Sequence, residues 1–184
     1  YLSQIPGMTV LSPASFAELR QMLRRAVLEM DGPVAVRYPR GGEDGYEGDC
    51  GDESVTVLRQ GTDAAIVTYG ILTQQALRAA ELLAGEGVSA RVVKLNRVTP
   101  LESSGICRAL DGVKRIVAAE DQLRAGAVGE RLSALLLEQG AGTEKLVLRS
   151  VGTTLPSQGS TVELRHALGL DAEGIAQAVR EVLA

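Results

Sequence analysis

Apolar positions near the start of the chain follow two different periods in turn. Met8 to Ser12 is a short β-prone run that stops at Pro13. Phe16, Leu19, Leu23, Ala26, Val27 and Met30 then recur at spacings of three and four, which predicts an amphipathic helix over residues 14–30. Ser15 and Glu18 fit an S-x-x-E capping box at its start, with Ser12 before Pro13 as the rival cap. Asp31-Gly32-Pro33 ends the helix, and "VAVRY" reads as the next strand. Strand, helix and strand with this crossover length make a right-handed βαβ unit. One such unit cannot cover both faces of its sheet, so residues 1–40 need a partner layer.

The pattern breaks at "GGEDGYEGDCGDES", which holds six acids, five glycines and no base. The D-x-D-x-D-G spacing of a calcium loop is missing, and residues 43–53 read as a solvated acidic linker. Repeated α/β patterning follows. "SVTVLRQG" and "AAIVTYG" are strands around a Gly-Thr-Asp turn, predicting an antiparallel edge hairpin. "TQQALRAAELLAGEG" is a helix capped by Thr73, "SARVVKLN" a strand, and "PLESSGICRAL" opens a helix. "KRIVAAE" and "KLVLRSVG" are strands on either side of the helix "GAVGERLSALLLEQG". Two short helices close the chain, the last marked by Ile175, Val179, Val182 and Leu183. Strands alternating with helices of this length predict an α/β domain over residues 54–184: a mostly parallel sheet with helices on both faces and one antiparallel edge strand.

Composition narrows the function classes. Of 184 residues, 45% are hydrophobic and 23% charged, the profile of a globular chain. A net charge of −4 speaks against a general nucleic-acid binder. No apolar run reaches the roughly 18–20 residues of a membrane span, and no signal peptide is evident, so a cytoplasmic address is the expectation. A single histidine, His166, leaves little room for chemistry built on paired histidines. Two Leu residues mark the buried side of its helix and turn His166 toward solvent. Cys50 and Cys107 lie in no metal spacing; Cys107 reads as core, and Cys50, in an exposed acidic stretch, as a thiol of raised pKa. The adjacent carboxylates Glu120 and Asp121 read as helix caps or interface contacts rather than metal ligands. Gly126 and Gly129 fit neither dinucleotide nor P-loop spacing.

The segment "DGPVAVRYPRGG" carries the most chemistry. Arg40 lies beyond Pro39, past the carboxyl end of a strand, where ligands of open α/β sheets collect. Its guanidinium offers a rigid fork of donors suited to phosphate, and Gly41 and Gly42 leave the backbone free to admit an anion. An arginine paired with an acid of the following segment explains the same spacing, and on the residues alone both readings stand.

"IPGMTVLSP", "ELRQML" and "DGPVAVRYPRG" together resemble the end of the pyrimidine-binding domain of the 1-deoxy-D-xylulose-5-phosphate synthase family. "GILTQQALRAAELLAGEGVSARVVKLNRVTPLE", "IVAAEDQLRAGAVGE" and "LPSQGSTVELRHALGLDAEGI" resemble that family's transketolase-like C-terminal domain. The resemblance runs from Tyr1 to Ala184, with one departure: Ala125-Gly126 stands where the family has paired glycines. It implies residues 1–42 as the end of the pyrimidine-binding domain, 43–53 as the linker and 54–184 as the C-terminal domain. The family condenses pyruvate with glyceraldehyde 3-phosphate, losing carbon dioxide, for isoprenoid and thiamin precursor synthesis. It uses thiamin diphosphate and magnesium and works as a homodimer.

Arg40 matches the arginine that holds the acceptor phosphate, and Arg37 a position that reads as structural. The family's catalytic glutamate, its diphosphate and magnesium site and its active-site histidines belong to a part upstream of this match. The chain alone is therefore expected to be inactive, to contain no catalytic, cofactor or metal residue, and to partner the upstream part of the same enzyme. Two rivals remain: a non-catalytic C-terminal assembly subunit of a split enzyme, and part of a transketolase or 2-oxo acid dehydrogenase β-subunit.

Overall fold

The computed structural model describes every residue except Arg40, Gly41, Glu43 and Gly51. In chain order the elements are β1 (Thr9–Leu11), α1 (Phe16–Leu28), β2 (Val34–Val36), β3 (Val55–Arg59), β4 (Ala64–Thr68), α2 (Thr73–Gly85) and β5 (Ala90–Leu95). They continue with β6 (Arg97–Thr99), α3 (Ser103–Leu110), β7 (Arg115–Ala119), α4 (Val128–Glu138), β8 (Lys145–Arg149), α5 (Thr161–Ala167) and α6 (Ala172–Leu183).

β1, α1 and β2 form the expected crossover, with the two strands parallel and Val10 opposite Ala35. Ser15 caps α1 by accepting from the Glu18 amide at 3.1 Å. The reciprocal half of the capping box is displaced, because the Glu18 carboxylate accepts from the Ala14 amide instead, at 2.7 Å.

The larger sheet has the order β3-β5-β4-β7-β8, with all neighbours parallel except β3 against β5. Val92, Ile66 and Val117 pack on one face beneath α2 and α6, through Ala76, Ala80, Leu83, Ile175 and Val179. Val93, Val67 and Ile116 pack on the other beneath α3 and α4, through Ile106, Leu110, Leu132 and Leu136. Val10 of β1 joins this second cluster, so the leading crossover rests on the same core.

Four local expectations need correction. β3 is an antiparallel edge strand, but it pairs with β5 and makes no hairpin with β4. The turn between β3 and β4 folds over the start of β5: the Thr62 amide donates to the Ser89 carbonyl, and a Cβ on Gly61 would stand 2.3 Å from the Ala90 carbonyl carbon. That close approach carries β3 past β4 to the outside of β5. β6 was not expected; it pairs antiparallel with β1 and builds a second, three-stranded sheet of order β2-β1-β6. Thr73 is not a cap but the first residue of α2, its hydroxyl donating to the Gly70 carbonyl at 2.7 Å. Cys107 is half-buried rather than core.

The acidic segment also departs from a solvated linker. Tyr46 and Cys50 are buried, and Asp44 accepts from Gln75 of α2 at 2.6 Å and from Arg165 of α5 at 3.1 Å. Charge alone made this stretch look solvated; the ion pair and the two apolar side chains tie it down. Burial, foremost, pushes the Cys50 thiol up to about 11, with Lys94 opposing and Glu18 and Asp49 adding to the rise. The raised direction agrees with the sequence reading, though the exposed position does not. Cys50 should resist alkylation at pH 8, where only about one thiol in a thousand would be ionised, while unfolded protein reacts at the ordinary rate. Because the folded thiol titrates above its ordinary value, its contribution to stability is intact below about pH 9 and is lost toward pH 11. Thiol labelling in native buffer against denaturant checks this; equal rates would contradict it.

Candidate functional site

The carboxyl ends of β1, β2 and β7 come together at one place. Arg37 follows β2 directly, and its guanidinium donates to the Asp121 carboxylate, two residues past β7, at 2.6 Å. The same guanidinium stacks 5.5 Å from the Tyr69 ring centroid. An arginine held by a carboxylate and an aromatic face is a tie between two sheets. The structural reading of Arg37 agrees with this geometry.

Glu120 sits beneath the tie, 2% exposed. Its carboxylate accepts from the Tyr69 hydroxyl at 2.9 Å, Gln122 Nε2 at 2.9 Å, and the Val128 and Gly129 amides at 3.0 Å each. Burial, then Glu120, push the Tyr69 hydroxyl well above the ordinary tyrosine range. The last two bonds satisfy the first turn of α4 from a distance, so Glu120 does cap a helix, as the sequence suggested. Gly129 is required there, since a Cβ would meet Glu120 Oε1 and Leu148 Cδ2 at 2.8 Å. With those amides occupied by a carboxylate, the Gly126–Gly129 turn offers no seat for a second anion.

Arg40 lies outside the described residues. Its neighbours Pro39 and Gly42 line a cavity of about 620 Å³ with Asp44, Asp121, Arg165 and the apolar Ile71 and Leu164. Sequence reasoning passed over Arg97, which pairs with Leu11 at the carboxyl end of β1. Its Nε is buried without a hydrogen-bond partner, and so is the Ser12 hydroxyl one residue past β1. The Ser12 hydroxyl lies beside Gly70 and the Arg37 guanidinium, and among the described residues no contact joins it to Arg97. The available signal was Arg97 in "LNRVTP", a basic residue directly after an apolar run.

A second polar cluster was also missed. Lys94 and Glu18 are both 0% exposed and pair at 2.8 Å, and the ammonium also donates to Asn96 Oδ1. Asn96 passes the network on to the Glu53 carbonyl at 3.0 Å and Thr56 Oγ1 at 2.8 Å. The Tyr46 hydroxyl reaches Glu18 at 3.4 Å. Burial pulls the Lys94 pKa down and the Glu18 charge pulls it back. Sealed from solvent, this cluster joins α1 to β5.

Thiamin diphosphate and magnesium, implied by the resemblance, do not fit these residues. Among the described residues, no three His, Cys, Asp or Glu side chains come together as metal ligands. Glu120 and Asp121 are committed to the donors above. His166, its side chain 80% exposed, pairs with Asp171 at 2.7 Å and faces solvent as expected.

Residues 53–175 match the family described as transketolase, C-terminal domain. The chain belongs to the transketolase C-terminal domain family. The family accounts for the mostly parallel sheet between two helical layers. Beyond those residues, the whole chain is similar to 1-deoxy-D-xylulose-5-phosphate synthases. It is 36% identical to synthase 1 of Geobacter sulfurreducens over 100% of this chain and 30% of that protein. It is 37% identical to the Heliobacterium modesticaldum enzyme, over 99% and 29%. The chain thus spans about 30% of the length of these relatives. A solved structure titled "Split gene transketolase, inactive beta4 tetramer" superposes with a TM-score of 0.83 at 28% identity, over 99% of this chain and 59% of that one. Among the described residues, no helix is long and apolar enough to cross a membrane.

Proposed function

We propose that this transketolase C-terminal chain serves as the C-terminal region of a 1-deoxy-D-xylulose-5-phosphate synthase. The observation that carries this is the similarity, 32–37% identical and nearly end to end, to synthases of three different genera. The synthase reaction condenses pyruvate with glyceraldehyde 3-phosphate and releases carbon dioxide, with thiamin diphosphate and magnesium held by the upstream part of the enzyme. In this reading the protein is a cytoplasmic homodimer, and the 184 residues by themselves bind no cofactor and turn over nothing. Residues 1–42 close the pyrimidine-binding domain, 43–53 connect, and 54–184 form the C-terminal domain.

The chain's own contribution is to hold the acceptor's phosphate. Arg40 is the assigned ligand, on the sequence pattern of its turn. Arg40→Ala in the intact synthase should raise the KM for glyceraldehyde 3-phosphate far more than that for pyruvate. One charge-assisted hydrogen bond contributes about 1.5–3 kcal/mol, so kcat/KM for the phosphorylated acceptor should fall roughly 10- to 150-fold. Arg40→Lys keeps the charge without the fork and should recover only part. Steady-state kinetics with glyceraldehyde 3-phosphate and with unphosphorylated glyceraldehyde decide it. Equal loss on both acceptors would make Arg40 structural.

The likeness to a split-gene transketolase favours a second reading, a separate C-terminal subunit that completes an enzyme whose catalytic part is another chain. Turnover restored by a catalytic chain supplied in trans would support that reading.

A further inference from the structure

The segment that carries Arg40 is held on both sides. Before it, the Arg37 guanidinium donates to the Asp121 carboxylate at 2.6 Å. After it, a single oxygen of Asp44, Oδ2, accepts from Gln75 Nε2 at 2.6 Å and from Arg165 Nη1 at 3.1 Å. Residues 38–43 run between these anchors in sequence, and Pro39, Gly42, Asp44, Asp121 and Arg165 line the same cavity.

Asp44 holds an uncommon backbone. Its φ of 54° is the only positive value outside glycine among the described residues. Aspartate adopts this left-handed conformation more readily than most residues, yet at a cost that a fixed side chain must offset. Gln75 provides the fixing point. It lies buried in the first turn of α2, and its Oε1 accepts from the Ala172 amide at the start of α6 at 3.1 Å. That bond leaves Nε2 to donate to Asp44. Because α2 and α6 pack on the core of the larger sheet, the anchor is set in the body of the domain. Arg165 of α5, a helix that buries no residue, adds the second donor.

We infer that Asp44 is a positioning residue for the phosphorylated acceptor: it fixes the chain just past Arg40, so that the arginine meets the phosphate in a segment already ordered. The inference rests on the proposed synthase reading, with Arg40 as the phosphate ligand. Ordering a loop and a long side chain at the moment of binding costs affinity, and a segment fixed beforehand avoids that cost. Simple electrostatics points the opposite way. The Asp44 carboxylate lines the cavity with Pro39 and Gly42 and repels a phosphate, and removing it would free Arg165 to attract one. The sign of the effect therefore separates the two roles.

Asp44→Gly tests this, since glycine keeps the left-handed backbone and removes the anchor. In the intact synthase, kcat/KM for glyceraldehyde 3-phosphate should fall roughly 3- to 20-fold, mostly through KM. The KM for pyruvate and the rate on unphosphorylated glyceraldehyde should not move. Asp44→Asn keeps the backbone preference and one acceptor oxygen, and should recover most of the loss. In an Arg40→Ala background Asp44→Gly should add nothing, because Asp44 acts only through that arginine. Hydrogen exchange along α2 and α6 should match wild type in both Asp44 variants. A lower KM for the phosphorylated acceptor, equal loss on both acceptors, or a loss that adds in full to that of Arg40→Ala overturns the inference. So does faster exchange along α2 and α6, because the carboxylate then supports the fold as a whole. A wild-type protein without synthase turnover, or an Arg40→Ala protein as active as wild type, removes the underlying reading and the inference with it. Turnover that depends on Arg40 but not on Asp44 removes the inference alone.

Discussion

Lys94→Met should destabilise the chain by about 3–5 kcal/mol, although methionine fills nearly the same volume. The wild-type ammonium is wholly enclosed and has two anchors, Glu18 and Asn96. Removing it leaves the Glu18 carboxylate 0% exposed with the Ala14 amide at 2.7 Å and the Tyr46 hydroxyl at 3.4 Å, neither of which carries a positive charge. An uncompensated buried charge must be desolvated, take up a proton or draw in water, and each route costs stability. Glu18→Leu alone should be similarly costly, since it strands the ammonium. The double replacement should recover most of the loss, because a desolvated ion pair and a well-packed apolar pair differ little in net free energy. Urea unfolding of the four proteins in the cycle gives the coupling directly. A loss below about 1 kcal/mol for Lys94→Met would mean that water already reaches the pair.

This pair also explains where sequence reading failed. Lys94 sits in "VVKLN", where one polar residue among apolar ones looks like the solvent side of a strand. Its partner lies 76 residues earlier and was already assigned to a helix cap. Local pattern reports the face a residue occupies; it does not report that another unit covers that face. β6 was lost for the same reason, since three residues pairing with a strand from the start of the chain leave no periodic trace. The β3 partner was missed because adjacency in sequence favours a hairpin, while Gly61 in close contact with β5 decides otherwise.

Features fixed by local chemistry were legible. Ser15 caps its helix, Ile175, Val179 and Val182 of α6 all turn inward, and Glu120 holds the start of α4. The candidate site was legible only in part. The Arg37 and Arg40 turn stood out by its proline and glycines. The contact of Arg37 with Asp121 and Tyr69 joins the two sheets, a tertiary event that local pattern does not report.

Glu120→Ala should cost about 3–4 kcal/mol, the sum of small terms at one carboxylate rather than of one ion pair. Alanine leaves three buried donors without their acceptor: the Tyr69 hydroxyl and the Val128 and Gly129 amides. Each costs about 1–3 kcal/mol if nothing replaces the carboxylate. Water can replace part of it, because Tyr69, Gln122 and Val128 also line a cavity of about 420 Å³. That access holds the expected total below the simple sum. Glu120→Gln should not be neutral. The amide keeps one acceptor oxygen but turns its NH₂ group toward amides that also donate, so roughly half the loss should persist. The damage should spread along a defined path. Tyr69 carries the Arg37 guanidinium on its ring, and Arg37 holds Asp121, so loosening Tyr69 weakens the tie between the two sheets. Hydrogen exchange should therefore accelerate at the start of α4 and around Arg37, with α2 and α6 unchanged because they pack on the opposite face of the larger sheet. Thermal unfolding of the three proteins, read with exchange at those segments, checks both the size and the route. A Glu120→Ala protein that loses less than about 1 kcal/mol, or that loosens α6 as much as α4, would show that the carboxylate is dispensable to the helix start it faces.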